Sequence, residues 1–214
     1  MAFKKENSNF EQQKQHLFRY WQKSRMITSK TVLKAFLAVK RELFVDQSYR
    51  DQSYADNPLP ICCEQTISQP TTVMLMLQLL EVVPGQRVLE IGTGSGYNAA
   101  LLAELAGEVV TVERHMKLVK SAQHNLKQAG YEGVIVVKGD GKKGYASHAP
   151  FDRIIVTAAA QKVPQQLKDQ LSVGGLLVAP IGATYRCEMT TFEKISSDNF
   201  RTLNHGLFSF VPLV

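Results

Sequence analysis

What this sequence most plainly lacks is an apolar run long enough to cross a membrane. Nowhere in its 214 residues does one approach the roughly 20 that a spanning helix needs, so no membrane partner is expected. Lys4 and Lys5 are not followed by the apolar stretch that marks export, which makes a cytoplasmic location the expectation. Cysteine is scarce: Cys62, Cys63 and Cys187 are the only three. An odd number with one adjacent pair gives no disulfide framework, and no Cys-x-x-Cys or Cys/His spacing marks a metal site. Reduced thiols and no metal are expected. Long basic runs are missing too. The formal net charge is +6, but the basic residues are scattered, with pairs at Lys4-Lys5, Lys40-Arg41 and Lys142-Lys143. The stripe of basic and aromatic residues that nucleic acid calls for is absent, so no such partner is expected. No repeat, low-complexity tract or linker divides the chain. Residues 1–214 read as one domain, large enough to bury its own core and expected to be a monomer.

Hydrophobic spacing then gives the elements. Phe10, Leu17, Phe18 and Trp21 recur at helical intervals, as do Val32, Leu33, Phe36, Leu37 and Val39, with Ser29 as a candidate N-cap. Asp46 to Gln69 is polar and reads as a long irregular segment, a kind that is usually functional or disordered. Helical spacing resumes over Thr71–Val82. From there strand and helix alternate. Strands are expected at Arg87–Ile91, Glu108–Glu113, Gly133–Lys138, Phe151–Val156 and Leu176–Ile181. Helices are expected at Tyr97–Ala106, His115–Ala129 and Pro164–Leu171. Such alternation implies a parallel sheet covered on both faces. Met189–Ile195 and Leu207–Leu213 read as a closing antiparallel hairpin around Ser196–Asn199.

Between the first of these strands and its helix lies Gly92-Thr93-Gly94-Ser95-Gly96. Glycine permits the tight turn there and lets a ligand approach the backbone. A dinucleotide fingerprint wants glycine at 92, 94 and 97, but position 97 is tyrosine; the shifted frame Gly94-x-Gly96-x-x-Ala99 starts two residues late. Glu90, inside the strand, is not part of that fingerprint. Glu113 closes the next strand, where a carboxylate can accept both hydroxyls of an adenosine ribose. Gly139-Asp140-Gly141 follows the third strand, where Asp140 can meet an adenine amino group. These residues indicate a nucleoside cofactor and leave methyl donor and nicotinamide both open.

From about Arg41 onward the sequence resembles the protein-L-isoaspartate O-methyltransferase family, in particular its bacterial form. The resemblance is carried by Glu42-Leu-Phe-Val-Asp46, Leu59-Pro-Ile61, Gln65-Thr-Ile-Ser-Gln-Pro70, Val88–Tyr97, Gly139-Asp-Gly141, Ile154-Ile-Val-Thr-Ala-Ala159 and Phe210-Val-Pro-Leu213. The glycine loop is common to many methyltransferases, whereas Thr66–Pro70 and Ile155–Ala159 are specific to this family.

The resemblance implies a Rossmann-like S-adenosylmethionine methyltransferase fold, with a mostly parallel seven-stranded sheet, helices on both faces and a C-terminal antiparallel hairpin. It implies S-adenosylmethionine as cofactor, S-adenosylhomocysteine as its product, and isoaspartyl-containing proteins and peptides as partners. Residues 1–70 would supply N-terminal helices and an active-site lid, 71–182 the cofactor-binding core and 183–214 the hairpin. Ser68 becomes the active-site hydroxyl. Thr66, Ile67, Glu90, Gly92, Thr93, Gly94, Ser95, Gly96, Glu113, Asp140, Gly141 and Thr157 become cofactor contacts, and Thr157, Ala158 and Ala159 join Ser68 against the substrate.

The resemblance breaks at Cys62-Cys63-Glu64, where the family usually carries Gly-x-Gly. Cys and Glu adopt left-handed dihedrals far less readily than glycine, and Glu64 brings negative charge near a carboxylate site, so substrate choice turns on this loop. Thr71-Thr72 also replaces bulkier residues. Esterification of a different carboxylate, a non-catalytic module binding cofactor or nucleic acid, and a nicotinamide oxidoreductase are the competing readings.

Overall fold

The computed structural model describes residues 2–184 and 186–213, with side chains from Asn9 onward. Two helices, α1 (Ala2–Ser24) and α2 (Lys30–Ala38), open the chain as their spacing predicts. Ser29 caps α2: its hydroxyl accepts from the Val32 N–H at 3.4 Å and supplies one partner that the first turn lacks. Trp21 is fully buried, edge-on to Phe36 with ring centroids 4.6 Å apart.

The segment from Asp46 to Gln69 is more ordered than its composition suggests. Asp46 starts a 3-10 turn over Gln47–Gln52 by accepting from the Ser48 N–H. A small antiparallel hairpin follows, β1 (Leu59–Ile61) and β2 (Gln65–Ile67), with Leu59 opposite Ile67 and Ile61 opposite Gln65. Strands of three residues are too short to leave a periodic signal. Helix α3 (Pro70–Leu80) comes next, with proline at its first position, where a missing N–H costs nothing.

The alternating region comprises β3 (Arg87–Ile91), α4 (Tyr97–Ala103), β4 (Glu108–Glu113), α5 (Met116–Ala129), β5 (Ile135–Lys138), β6 (Phe151–Val156) and α6 (Gln165–Gln170). It ends in β7 (Leu171–Ala183), β8 (Arg186–Lys194) and β9 (Phe200–Phe208). The seven-stranded sheet runs β5-β4-β3-β6-β7-β8-β9. Strands β3 to β7 are parallel, and β8 and β9 are antiparallel additions. After β3 the chain builds outward through β4 and β5, then crosses back to place β6 on the other side of β3. Ligands in open α/β sheets bind at the carboxyl ends of the strands beside such a reversal.

Strand period decides which side chains meet which helices. Val88, Val109, Ile155 and Val178 join the core that includes Trp21, Phe36, Leu77, Tyr97 and Leu101. Their neighbours Leu89 and Ile91, Val110 and Val112, Ile154 and Val156, and Leu177 and Ala179 face the second core with Leu167. Both faces are covered, so the central strands read as near-continuous apolar runs.

The C-terminal strands depart from expectation. Strand β7 starts at Leu171, because Gly174 (φ 78°) and Gly175 lie in an irregularity where Phe151 pairs with Leu171 but Arg153 with Leu176. Strand β9 ends near where the last strand was expected to begin; its residues are mostly exposed, so they show no buried-face alternation. Val211–Leu213 instead bridges to Ala159, which donates to the Val211 carbonyl and accepts from the Leu213 N–H, both at 2.7 Å.

Candidate active site

The glycine loop lies at the carboxyl end of β3. Its three glycines have φ of 97°, 55° and 89°, a region that L side chains rarely adopt. At Gly92 an added Cβ would also collide with the Thr157 hydroxyl. That hydroxyl reaches the carbonyls of Ile91 (3.0 Å) and Gly92 (2.8 Å), so the end of β6 holds the start of the loop. Asn125 Nδ2 on α5 donates to the Ser95 carbonyl at 3.0 Å and holds the far side.

Under the loop runs a buried polar chain. Asn98 Nδ2 donates to Glu90 Oε1 (2.7 Å), the Thr111 hydroxyl donates to Glu90 Oε2 (2.6 Å), and Thr111 accepts from Thr93 (2.6 Å). Burial pushes the Glu90 carboxyl up to about 7, partly offset by the bonds from Thr111 and Asn98. Glu90 therefore joins β3, β4 and α4 beneath the cavity. Glu113 is placed differently: it accepts from the Gly94 N–H (3.1 Å) and the His115 N–H (2.9 Å) and forms part of a cavity wall.

The cavity over the loop is lined by Gln65, Thr66, Ile67 and Ser68 from the hairpin, by Glu90, Gly92, Thr93, Gly94, Ser95 and Glu113, and by Thr157 and Ala158. A neighbouring recess reaches Gly141, Arg114, His115 and Leu213 and shares Gln65, Gly92, Glu113 and Ala158 with it. Three expected contacts stand outside these walls. Gly96 caps α4, where an added Cβ would press on Leu126 and Ala122. The exposed Asp140 carboxylate accepts from the Lys142 N–H at 3.0 Å. Ala159 is committed through its backbone to Val211 and Leu213. Conversely, Val73 and Met76 on α3, Tyr97, Asn98 and Val211 line the cavity without having been expected. For Val73 and Met76 the only signal is their place in the first turns after Pro70; Val211 lies in the Phe210–Leu213 stretch of the resemblance, but its place in the cavity follows from the backbone pairing with Ala159.

The cavity suits a nucleoside with an amino-acid tail. The Glu113 carboxylate stands in its wall, bonded to the loop's own Gly94 N–H. Tyr97 Oη and Asn98 Oδ1 are buried in the wall without a hydrogen-bond partner among the described residues, and unmet polar atoms are uncommon in native interiors.

A second opening, a groove of about 860 Å³, runs between residues 58–72 on one side and Thr184, Arg186 and residues 207–212 on the other. It shares Thr66, Ser68, Thr157 and Val211 with the loop cavity. Its rim includes the turn Cys62–Gln65, closed by the Gln65 N–H donating to the Cys62 carbonyl at 3.4 Å. Cys63 and Glu64 there have φ of 63° and 58°, so the turn takes the left-handed path without glycine.

A family model described as protein-L-isoaspartate(D-aspartate) O-methyltransferase matches residues 12–214. The chain belongs to this family. It is 47% identical over 192 residues to the protein-L-isoaspartate O-methyltransferase of Methanopyrus kandleri, covering 88% of this chain and 85% of that one. The enzyme of the same name from Christiangramia forsetii is 44% identical over 192 residues, 90% of either chain. Membership in the bacterial form is not borne out, since archaeal and bacterial relatives match alike. A solved protein-L-isoaspartate O-methyltransferase superposes with a TM-score of 0.84 at 33% identity, covering 93% of this chain and 65% of that one. A Plasmodium falciparum protein assigned the same activity, solved with S-adenosyl-L-homocysteine, gives 0.83 at 25% identity and covers 93% and 97%. The Rossmann-like methyltransferase fold is thereby established.

Proposed function

We propose that this chain transfers a methyl group from S-adenosylmethionine to the free carboxylate of L-isoaspartyl residues in damaged proteins. The observation that carries the reading is the meeting of the two openings at Thr66, Ser68, Thr157 and Val211. A donor bound over the glycine loop and a peptide lying in the groove would face each other there. Bound S-adenosylmethionine supplies an electrophilic methyl on a sulfonium.

The chain's own residues have a limited task. Glu113 accepts from ribose hydroxyls, Gly92–Ser95 let the donor approach the backbone, and Thr66 and Ile67 cover it from the hairpin. The substrate carboxylate is already ionised near neutral pH, so no strong base is required. Rate then comes from holding one carboxylate oxygen in line with the methyl and from keeping water out. Ser68 is assigned the catalytic contact: its hydroxyl donates to the oxygen that does not attack. The Thr157 hydroxyl is engaged by the Ile91 and Gly92 carbonyls, so Thr157 acts as wall and loop anchor, with Ala158 beside it.

The whole chain works as one domain, with residues 1–70 as helices and lid. A monomer suffices, because residues of one chain wall both openings. The free thiols suit a reducing cytoplasm.

The test is transfer of labelled methyl to an isoaspartyl peptide, with its aspartyl isomer as control. The isoaspartyl peptide alone should become labelled; preference for the aspartyl form would overturn the reading. Ser68→Ala should lower kcat about 10- to 100-fold, the worth of one hydrogen bond to a charged group, and leave cofactor affinity unchanged.

A further inference from the structure

The groove carries few charges. Among its described lining residues only Glu64 and Arg186 are charged; the others are threonines, prolines, aromatic and aliphatic side chains, serines and Gln69. Glu64 comes from the hairpin turn and Arg186 from the start of β8, so the two segments that face each other across the groove each bring one charge, of opposite sign. Both side chains are exposed. Among the described residues, neither makes an ion pair or a side-chain hydrogen bond, with the other or with any third group. Glu64 also sits at φ 58°, a backbone state that glycine would occupy with less strain.

We infer that Glu64 and Arg186 give the groove a charge polarity that selects isoaspartyl segments with a cationic side chain on one flank and an anionic one on the other, in one chain direction. This rests on the groove being the acceptor site. With the reacting carboxylate at Ser68, the flanking residues of the peptide run out towards the two segments. A cation on the Glu64 side and an anion on the Arg186 side each find a partner. The reversed peptide brings like charge to both. Glu64 also repels an acidic flank, so selectivity comes from disfavoured partners as much as from favoured ones. Exposed pairs of this kind are each worth about 1.5- to 5-fold in an equilibrium. The matched and reversed peptides should therefore differ roughly tenfold in kcat/KM.

The experiment uses isoaspartyl peptides in an otherwise neutral host: lysine before and glutamate after the isoaspartyl residue, the reverse order, and glutamine on both sides. kcat/KM is measured at low and high salt for the native chain, E64Q, R186Q and the double variant. One dipolar order should exceed the other roughly tenfold at low salt, with the neutral peptide between them, and the gap should shrink at high salt. E64Q should remove the preference at the cationic flank, R186Q that at the anionic flank, and the double variant both. Equal turnover of the two dipolar orders would overturn the inference, as would a gap that persists in the double variant. Loss of labelling on every peptide, the neutral one included, would instead remove the acceptor assignment and this inference with it.

Discussion

Arg41 Nη2 donates to the backbone carbonyl of Ser68 at 2.8 Å, while its Nε donates to the Ser53 carbonyl at 2.7 Å. The guanidinium is fully buried, which pulls it below its ordinary value, and it lies 4.9 Å from the centre of the Tyr97 ring. One side chain thus fixes the backbone of Ser68, the residue assigned to the substrate, and packs on the helix that follows the glycine loop.

Arg41→Lys should therefore misplace Ser68, because an ammonium cannot reproduce the planar fork that spans both carbonyls. We expect kcat on an isoaspartyl peptide to fall about tenfold, with cofactor affinity within twofold of native. A purely structural role would lower the melting temperature and leave kcat per folded molecule unchanged. Steady-state kinetics with calorimetric cofactor titration separates the two.

Glu90 makes stability depend on pH. Its carboxyl rises from 4.5 to about 7 on folding, so the folded chain holds this proton more tightly than the unfolded one. The resulting stabilisation is complete below about pH 4.5, declines as the pH climbs towards 7 and is gone above it. Across that window the native chain should lose roughly 3 kcal/mol from this group. Glu90→Gln should flatten the decline, since Asn98 can turn its unpartnered Oδ1 to the new amide. Urea denaturation at pH 5 and pH 8 checks it; an equal decline in both proteins would refute the assignment.

Glu64→Gly should stabilise the fold. Relief of the left-handed dihedral exceeds the added freedom of glycine in the unfolded chain, leaving a gain of about 0.5–1 kcal/mol. For a chain of this size that is a rise of roughly 1–4 °C in melting temperature. Scanning calorimetry of the two proteins decides it, and a lower melting temperature for the variant would show that the turn is not strained.

Trp21→Phe tests why threonine stands at position 71. Trp21 Nε1 donates to Thr71 Oγ1 at 2.7 Å, and Thr71 donates through its hydroxyl (2.7 Å) and its backbone N–H (2.9 Å) to Asp56. Helix α1, the ordered segment before the hairpin and the first turn of α3 meet there. Removing the indole donor should cost about 1–3 kcal/mol, visible in chemical denaturation, with kcat little changed.

The parallel core was readable in the sequence to within a few residues. Arg87–Ile91, Glu108–Glu113 and Phe151–Val156 are buried on both faces and so appear as short apolar runs. The hairpin at Leu59–Ile67 was not readable, being only three residues per strand, nor was β9, whose exposed side chains need no alternation. The site divides in the same way. The glycine loop and Glu113 declared themselves by residue type and spacing, and Gln65–Ser68 only through the family resemblance. Val211 reaches the cavity through a backbone bridge to Ala159, and Arg41 reaches Ser68 through a carbonyl. Both contacts run through backbone atoms, which residue type does not reveal.

Asp140–Gly141 is the only step in the 214 residues where an aspartate or asparagine precedes glycine, the arrangement that leaves least obstruction when a backbone nitrogen attacks the side chain and an isoaspartyl link begins. The fold holds this step still. The Asp140 carboxylate is turned to the Lys142 amide, and Gly141 is buried so tightly against Ile91 that a Cβ would not fit. A chain that mends this lesion in other proteins thereby shields a vulnerable bond of its own for as long as it stays folded. For the reaction to begin there, the end of β5 must first come loose.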